Sequence, residues 1–196
     1  MLVLTPTVPV RAEITPQDRA RLVQYLTTTR DQVLAESAGL SETQWNFKPG
    51  PDRWSVGEVV EHLALAETFI FDLQQKTVSG TPATPEQQAA AKGKDEMILK
   101  VIPDRTKKAQ APEPIQPAKR LGSQATVLAA FKERREKTLE YAGKTTDDLR
   151  ARVADSPLGS LDGYQWLLFM GAHAERHLAQ IKEVKADAKF PKSSAP

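Results

Sequence analysis

The sequence predicts an all-α protein, a four-helix bundle with a long crossover between the second and third helices. Three observations predict it. Four long segments carry apolar residues at spacings of three and four, the period of a helix with one buried face. No run of four to eight residues outside those segments alternates apolar and polar, and no repeat of fixed period occurs. Residues 79–120, between the second and third segments, hold six of the 14 prolines, at 82, 85, 103, 112, 114 and 117.

Residues 1–14, with Pro6 and Pro9, read as an extended amino-terminal arm. Thr15-Pro16 then starts the first helix, about 15–38: Thr15 caps, and Pro16 at the first helical position gives up an N–H that would have had no partner. Leu22, Val23, Leu26, Val33 and Leu34 mark its apolar face, and Gly39 ends it. Ser41–Trp45 suits one short helical turn, which Pro49-Gly50-Pro51 prevents from growing. Ser55 and Glu58 have capping-box spacing and open the second helix, about 55–78, with Val59, His62, Ala66, Phe69 and Leu73 on one face. Within the crossover 79–120, residues 86–101 suit a short helix and the remainder reads as extended and solvated. Ser123 starts the third helix, about 123–142, and Gly143 is placed to stop it. A fourth helix runs from about 162 to 186. The bundle domain is thus 15–188, followed by a tail, 189–196, expected to be disordered.

Composition narrows the function. Lys plus Arg is 27 and Asp plus Glu is 25, so no excess of positive charge points to nucleic acid or a membrane surface. No apolar run approaches the ~20 residues of a membrane span. The chain has no Cys, which excludes disulfides, thiolate metal sites and a Cys nucleophile. The opening MLVLTPTVPV lacks a basic region before its apolar residues and makes a poor signal peptide, so a cytoplasmic protein is expected. Gly-rich phosphate loops, Gly-x-Ser-x-Gly elbows and paired-carboxylate di-iron patterns are missing.

The three histidines are the informative rarity. His173 and His177 lie four residues apart, which puts both rings on one helix face, roughly 5–6 Å apart at Cβ. Two imidazoles so spaced can chelate one divalent ion. The residue after the first His is Ala174, so the zinc-protease motif is not present. His62, on the apolar seam of the second helix, can meet the pair across the bundle. Three protein ligands leave a coordination position for water or substrate. A histidine on an apolar face is also a common core residue, so spacing alone leaves two readings: a shared metal site or inert core rings.

Two further motifs carry a resemblance. Trp54-Ser55, Glu58 and His62 are similar to the WS-x-x-E-x-x-x-H helix of the DinB-like superfamily, and His173, Arg176, His177, Gln180 and Ile181 resemble its H-x-x-R-H-x-x-Q-I helix. The resemblance covers about residues 15–186. It implies an up-up-down-down bundle, a divalent metal (nickel or zinc most often) held by His62, His173 and His177, and a homodimer. It also implies a small-molecule substrate, with transfer of a low-molecular-weight thiol such as bacillithiol or mycothiol to an electrophile as the leading activity. Metal-dependent hydrolysis and a non-catalytic metal-binding or stress-response module are the alternatives. Spacing alone would also accept copper or iron.

Other side chains have two candidate roles each. Glu58 can act as a base near the metal or complete the capping box with Ser55. Gln180 can hold a ligand ring or satisfy buried backbone. Arg176 can meet an anionic substrate or a neighbouring helix. Trp54, Trp166 and Phe169 can wall a pocket or fill the core. Gly171, two residues before His173, can permit a close helix approach.

Overall fold

The computed structural model describes residues 13–192. Its four long helices are α1 (Pro16–Ser37), α3 (Val56–Val78), α6 (Gln124–Lys144) and α7 (Gly163–Lys185). Short α2 (Glu42–Asn46) precedes α3, and α4 (Pro85–Ala91), α5 (Lys94–Val101) and a 3-10 turn at Glu113–Ile115 lie in the crossover. α3 packs between α6 and α7, and α1 closes the ring against both, so α1 faces α3 across the diagonal. No described helix is long and apolar enough to cross a membrane.

The caps fall where the sequence places them. Thr15, Ser41, Ser55 and Asp162 each accept a hydrogen bond from the backbone N–H three residues on, and the side chain three residues on answers each of them. Gly39 takes a left-handed φ of 68° after α1. At Gly171 a Cβ would stand 2.6 Å from the Tyr25 ring, so its bare backbone lets α1 and α7 approach closely.

Several expectations are corrected. The helices do not run up-up-down-down. Tyr164 at the start of α7 donates to the carbonyl of Asp18 at the start of α1 (3.2 Å), and Lys185 at the end of α7 reaches Glu36 at the end of α1, so these two are parallel. Gln74 and Tyr141 meet near the ends of α3 and α6 (3.2 Å), while Arg19 near the start of α1 donates to Ala142 near the end of α6. The order is therefore up-down-down-up. The connection 38–55 stays at one end and turns the chain back. The crossover has to travel the length of α3, about 35 Å for 23 residues, before α6 begins.

The helix expected at 86–101 is broken by Gly93, at φ 78°, into α4 and α5. α6 continues through Gly143 to Lys144; it stops where the Thr145 side chain accepts from the N–H of Asp147 in a turn of its own. Val153–Ala154 and Leu161–Asp162 form a two-residue antiparallel pair, too short to show as alternation. Most of residues 105–120 stay exposed, as expected, but the crossover is anchored: Glu61 accepts from the N–H groups of Ala118, Lys119 and Leu121, and Arg176 donates to the carbonyls of Ile102, Asp104 and Lys107. Of the tail, Phe190 packs edge-on against Phe47 (5.5 Å between centroids), and Pro191 accepts from the Gln44 amide at 2.9 Å. Residues 193–196, like 1–12 of the expected arm, lie outside the described residues.

Two apolar clusters fill the bundle, and one ion pair lies between them. On α1 the chain passes from Leu26 in one cluster to Val33 in the other, with Thr29 between. On α6 it passes from Phe131 to Ala142, with Arg135 between. Arg135 is 0% exposed, and its five N–H groups all have acceptors: Glu67 takes two, the carbonyl and hydroxyl of Leu26 and Thr29 take one each, and the Met170 carbonyl takes the last. One side chain thus joins α1, α3, α6 and α7 at a single level. A buried charge is tolerable only when paired and hydrogen-bonded throughout. We predict that Arg135→Met, which strands the Glu67 carboxylate, lowers the unfolding free energy by about 3–5 kcal/mol in urea titrations. Adding Glu67→Leu should recover much of the loss; a double variant as unstable as the single one would refute this.

Candidate metal centre

α3 and α7 bring the three histidines together. The Ser55 hydroxyl accepts from the N–H of Glu58 (3.1 Å), and the Glu58 carboxylate accepts from the N–H of Ser55 (2.8 Å), which starts α3 so that His62 falls on the face turned to α7. Asp162 starts α7 in the same way. His62 is 2% and His177 7% exposed, and His173 is half-buried. Nε2 of His62 lies 3.2 Å from Nε2 of His173 and 3.1 Å from Nε2 of His177. One ring nitrogen from each residue falls within 4.8 Å of the others.

The far nitrogens decide what the near ones can do. Nδ1 of His62 is 2.8 Å from the carbonyl of Ile115, and Nδ1 of His177 is 2.8 Å from Oε1 of Gln180. Both partners only accept, so each Nδ1 carries the hydrogen, and each Nε2 of the neutral ring carries a lone pair. Two lone pairs facing each other at 3.1 Å repel, and a cation shared by them removes the repulsion. A tetrahedral ion with Zn–N bonds of about 2.0–2.1 Å spaces its ligand nitrogens by roughly 3.3 Å. The donor set therefore fits a divalent metal, with the ring-orienting hydrogen bonds that such ligands require.

Electrostatics keeps the rings neutral. Burial holds His62 below the usual imidazole range, against the pull of the Ile115 carbonyl in the other direction. His173 and His177 are held well below it, again chiefly by burial. Their neighbours add to this: His62, Arg135 and Arg176 on His173, and the other two rings on His177. Trp54 packs on His62 (4.9 Å between centroids) and lies nearly parallel to His177 (6.1 Å), and Phe169 lies nearly parallel to His173 (6.0 Å). Trp166 is one ring further out, 5.9 Å from Phe169.

Glu58 and Arg176 are engaged away from the rings. Glu58 holds the Ser55 cap and pairs with Lys48 at 3.0 Å. Arg176 donates to the crossover carbonyls of Ile102, Asp104 and Lys107, a fit explained by those groups lacking helical partners. Gln180 sits in the site as the acceptor for His177.

Three contributors escape the histidine motifs. The Ile115 carbonyl leaves no mark in a sequence, because every residue has one. Glu61, 3% exposed, accepts from the N–H groups of Ala118, Lys119 and Leu121 and pins the crossover beside His62. Arg105 reaches Gln180 and Glu183 from the crossover. A signal for Glu61 existed: it is an acid beside the apolar seam of α3, where solvent is excluded.

Comparison with known proteins gives the family and a similar fold. Residues 25–181 match the DinB superfamily. The chain is 30% identical over 151 residues to YuaE, an uncharacterized protein of Bacillus subtilis (strain 168), covering 76% of this chain and 88% of that one. The fold is similar to that of YfiT from Bacillus subtilis, with a TM-score of 0.58, 15% identity and 91% of each chain covered. YfiT is described as a probable metal-dependent hydrolase with an unusual four-helix bundle topology.

The depressed basicity of the rings has a consequence for stability. In the unfolded chain a histidine takes up its proton near pH 6.5; in the folded protein these three do so at lower pH. As pH falls below about 6.5, the unfolded state binds protons first at these positions, so the rings' contribution to stability is complete above that pH and declines beneath it. We predict that the denaturation midpoint of metal-free protein falls between pH 7.5 and 5, and that His177→Gln flattens the decline. An equal slope in the variant would contradict the assignment.

Proposed function

The chain belongs to the DinB superfamily, and from that premise we propose that it is a divalent-metal-dependent enzyme in which His62, His173 and His177 hold the cation and a low-molecular-weight thiol is transferred to an electrophilic small molecule. The observation that supports this best is the pair of acceptor nitrogens, Nε2 of His62 and Nε2 of His177, held 3.1 Å apart by hydrogen bonds on their opposite sides. A cation held there would supply Lewis acidity, lowering the pKa of a bound water toward neutrality and favouring a thiol as its thiolate.

The chain's own residues do the rest. Ile115 and Gln180 orient the rings. Trp54 and Phe169 flank them with apolar surface. Three protein ligands leave coordination room for the reactant. The carboxylates on this half of α3 and α7 are already engaged: Glu58 with the cap and Lys48, Glu61 with the crossover amides, Glu67 with Arg135, Glu175 with Tyr25 and Glu183 with Arg105. This favours a nucleophile that needs no carboxylate base. A thiol of ordinary pKa, about 8.5, meets that requirement once its anion is stabilised. Its S–H proton passes to solvent, a C–S bond forms, and the displaced electron pair of the electrophile takes up a proton.

Hydrolysis is the second reading, favoured by the description of YfiT. Nickel and zinc both suit three imidazoles, and affinity alone does not separate them.

The test is cobalt substitution of untagged, metal-free protein. We expect a 1:1 complex whose visible absorption changes on adding small thiols, formation of thiol conjugates with reactive electrophiles, and loss of both in His62→Ala. Cleavage of aryl esters with no spectral response to any thiol would replace transfer with hydrolysis. Cobalt binding that leaves both activities absent would reduce the protein to a binding module.

A further inference from the structure

We propose that Arg105 is a positioning residue that sets the tautomer of His177 from the crossover, acting through Gln180. The proposal rests on the reading above that Nε2 of His177 is a metal ligand. Arg105 is on the crossover between α5 and the 3-10 turn, remote in sequence from α7. Its guanidinium is anchored to Glu183 by two hydrogen bonds, Nε to Oε1 at 2.7 Å and Nη2 to Oε2 at 2.8 Å. The remaining arm, Nη1, donates to Oε1 of Gln180 at 3.3 Å. The same oxygen accepts from Nδ1 of His177 at 2.8 Å.

The two ends of a glutamine amide have nearly the same shape and opposite hydrogen-bonding character. Left alone, Gln180 can offer Nδ1 either its oxygen or its NH2 group. With NH2 presented, Nδ1 must accept, and the hydrogen moves to Nε2. That hydrogen would then point at the other rings and remove the lone pair a cation needs. A guanidinium can only donate. By donating to Gln180, Arg105 requires the oxygen on that side, which requires the hydrogen on Nδ1 and leaves Nε2 as the ligand. Glu183 holds the guanidinium by its fork, a geometry that fixes direction as well as charge. The crossover also selects the tautomer of His62, through the Ile115 carbonyl. Two of the three rings thus take their hydrogen-bonding state from one segment outside the bundle.

The test is nuclear magnetic resonance of metal-free protein with 15N-labelled histidine, where long-range 1H–15N correlations separate the two tautomers. The wild-type protein should show His177 with hydrogen on Nδ1. Arg105→Met should shift His177 toward the other tautomer, leave His62 unchanged, and weaken zinc binding about tenfold or more, as loss of a ring-orienting partner typically does. Arg105→Lys, which can still donate to Gln180 but cannot grip Glu183 by a fork, should restore both in part. The proposal is overturned if Arg105→Met leaves His177 unchanged, if Lys restores nothing of it, or if His62 changes as well, since that would mean the crossover had detached. Wild-type protein that binds no zinc would sink the proposed function instead; the tautomer comparison would still decide the role of Arg105.

Discussion

Two imidazole nitrogens, one on α3 and one on α7, face each other as acceptors, and much of the molecule can be understood as what keeps them there. Left to themselves, neutral rings at this separation would exchange a hydrogen or move apart. Here the opposite nitrogens are already committed, His62 to a backbone carbonyl and His177 to a glutamine oxygen. Burial raises the cost of charging any of the rings, so protonation gives no easy escape. An arrangement that is unfavourable for bare nitrogens and favourable around a cation is what a metal centre needs.

Holding that arrangement requires agreement between helices. Arg135 provides one level of agreement, because its acceptors come from the other three long helices and a shift of any of them would strand a buried donor. Glu67 is little more than a turn beyond His62 on α3, and Met170 is three residues before His173 on α7, so the ion pair and the rings share the same two helices on neighbouring turns. The second level is the crossover. Glu61, the residue beside His62, caps three of its amides, and Arg176, the residue beside His177, binds three of its carbonyls. Ring-bearing turns therefore also carry the polar groups that dock the segment covering them.

Much of this was legible in the sequence, for physical reasons that differ from residue to residue. The long helices announce themselves because apolar period and capping chemistry coincide at Thr15, Ser55 and Ser123. His173 and His177 are readable as a pair because four residues is close to one helical turn. Gly171 is readable as a contact point, though not the identity of Tyr25 as its neighbour. What could not be read depends on atoms without sequence identity or on distant pairing. The direction of α3 follows from a connection that stays at one end of the bundle. Docking of the crossover depends on its backbone groups, which prolines at 112, 114 and 117 suggested were solvated. Arg135 was readable in principle: it lies eight residues after Val127 and four after Phe131, on the apolar side of α6, where an unpartnered charge would be untenable.

The central claim is that the rings of residues 62, 173 and 177 share one cation. X-ray absorption spectroscopy of untagged protein loaded with one equivalent of zinc measures this most directly. The account predicts three imidazole nitrogens at about 2.0–2.1 Å, with the outer-ring scattering of histidine, and a remaining light-atom ligand from solvent. A spectrum fitted by one imidazole or none, with oxygen ligands making up the shell, would contradict it.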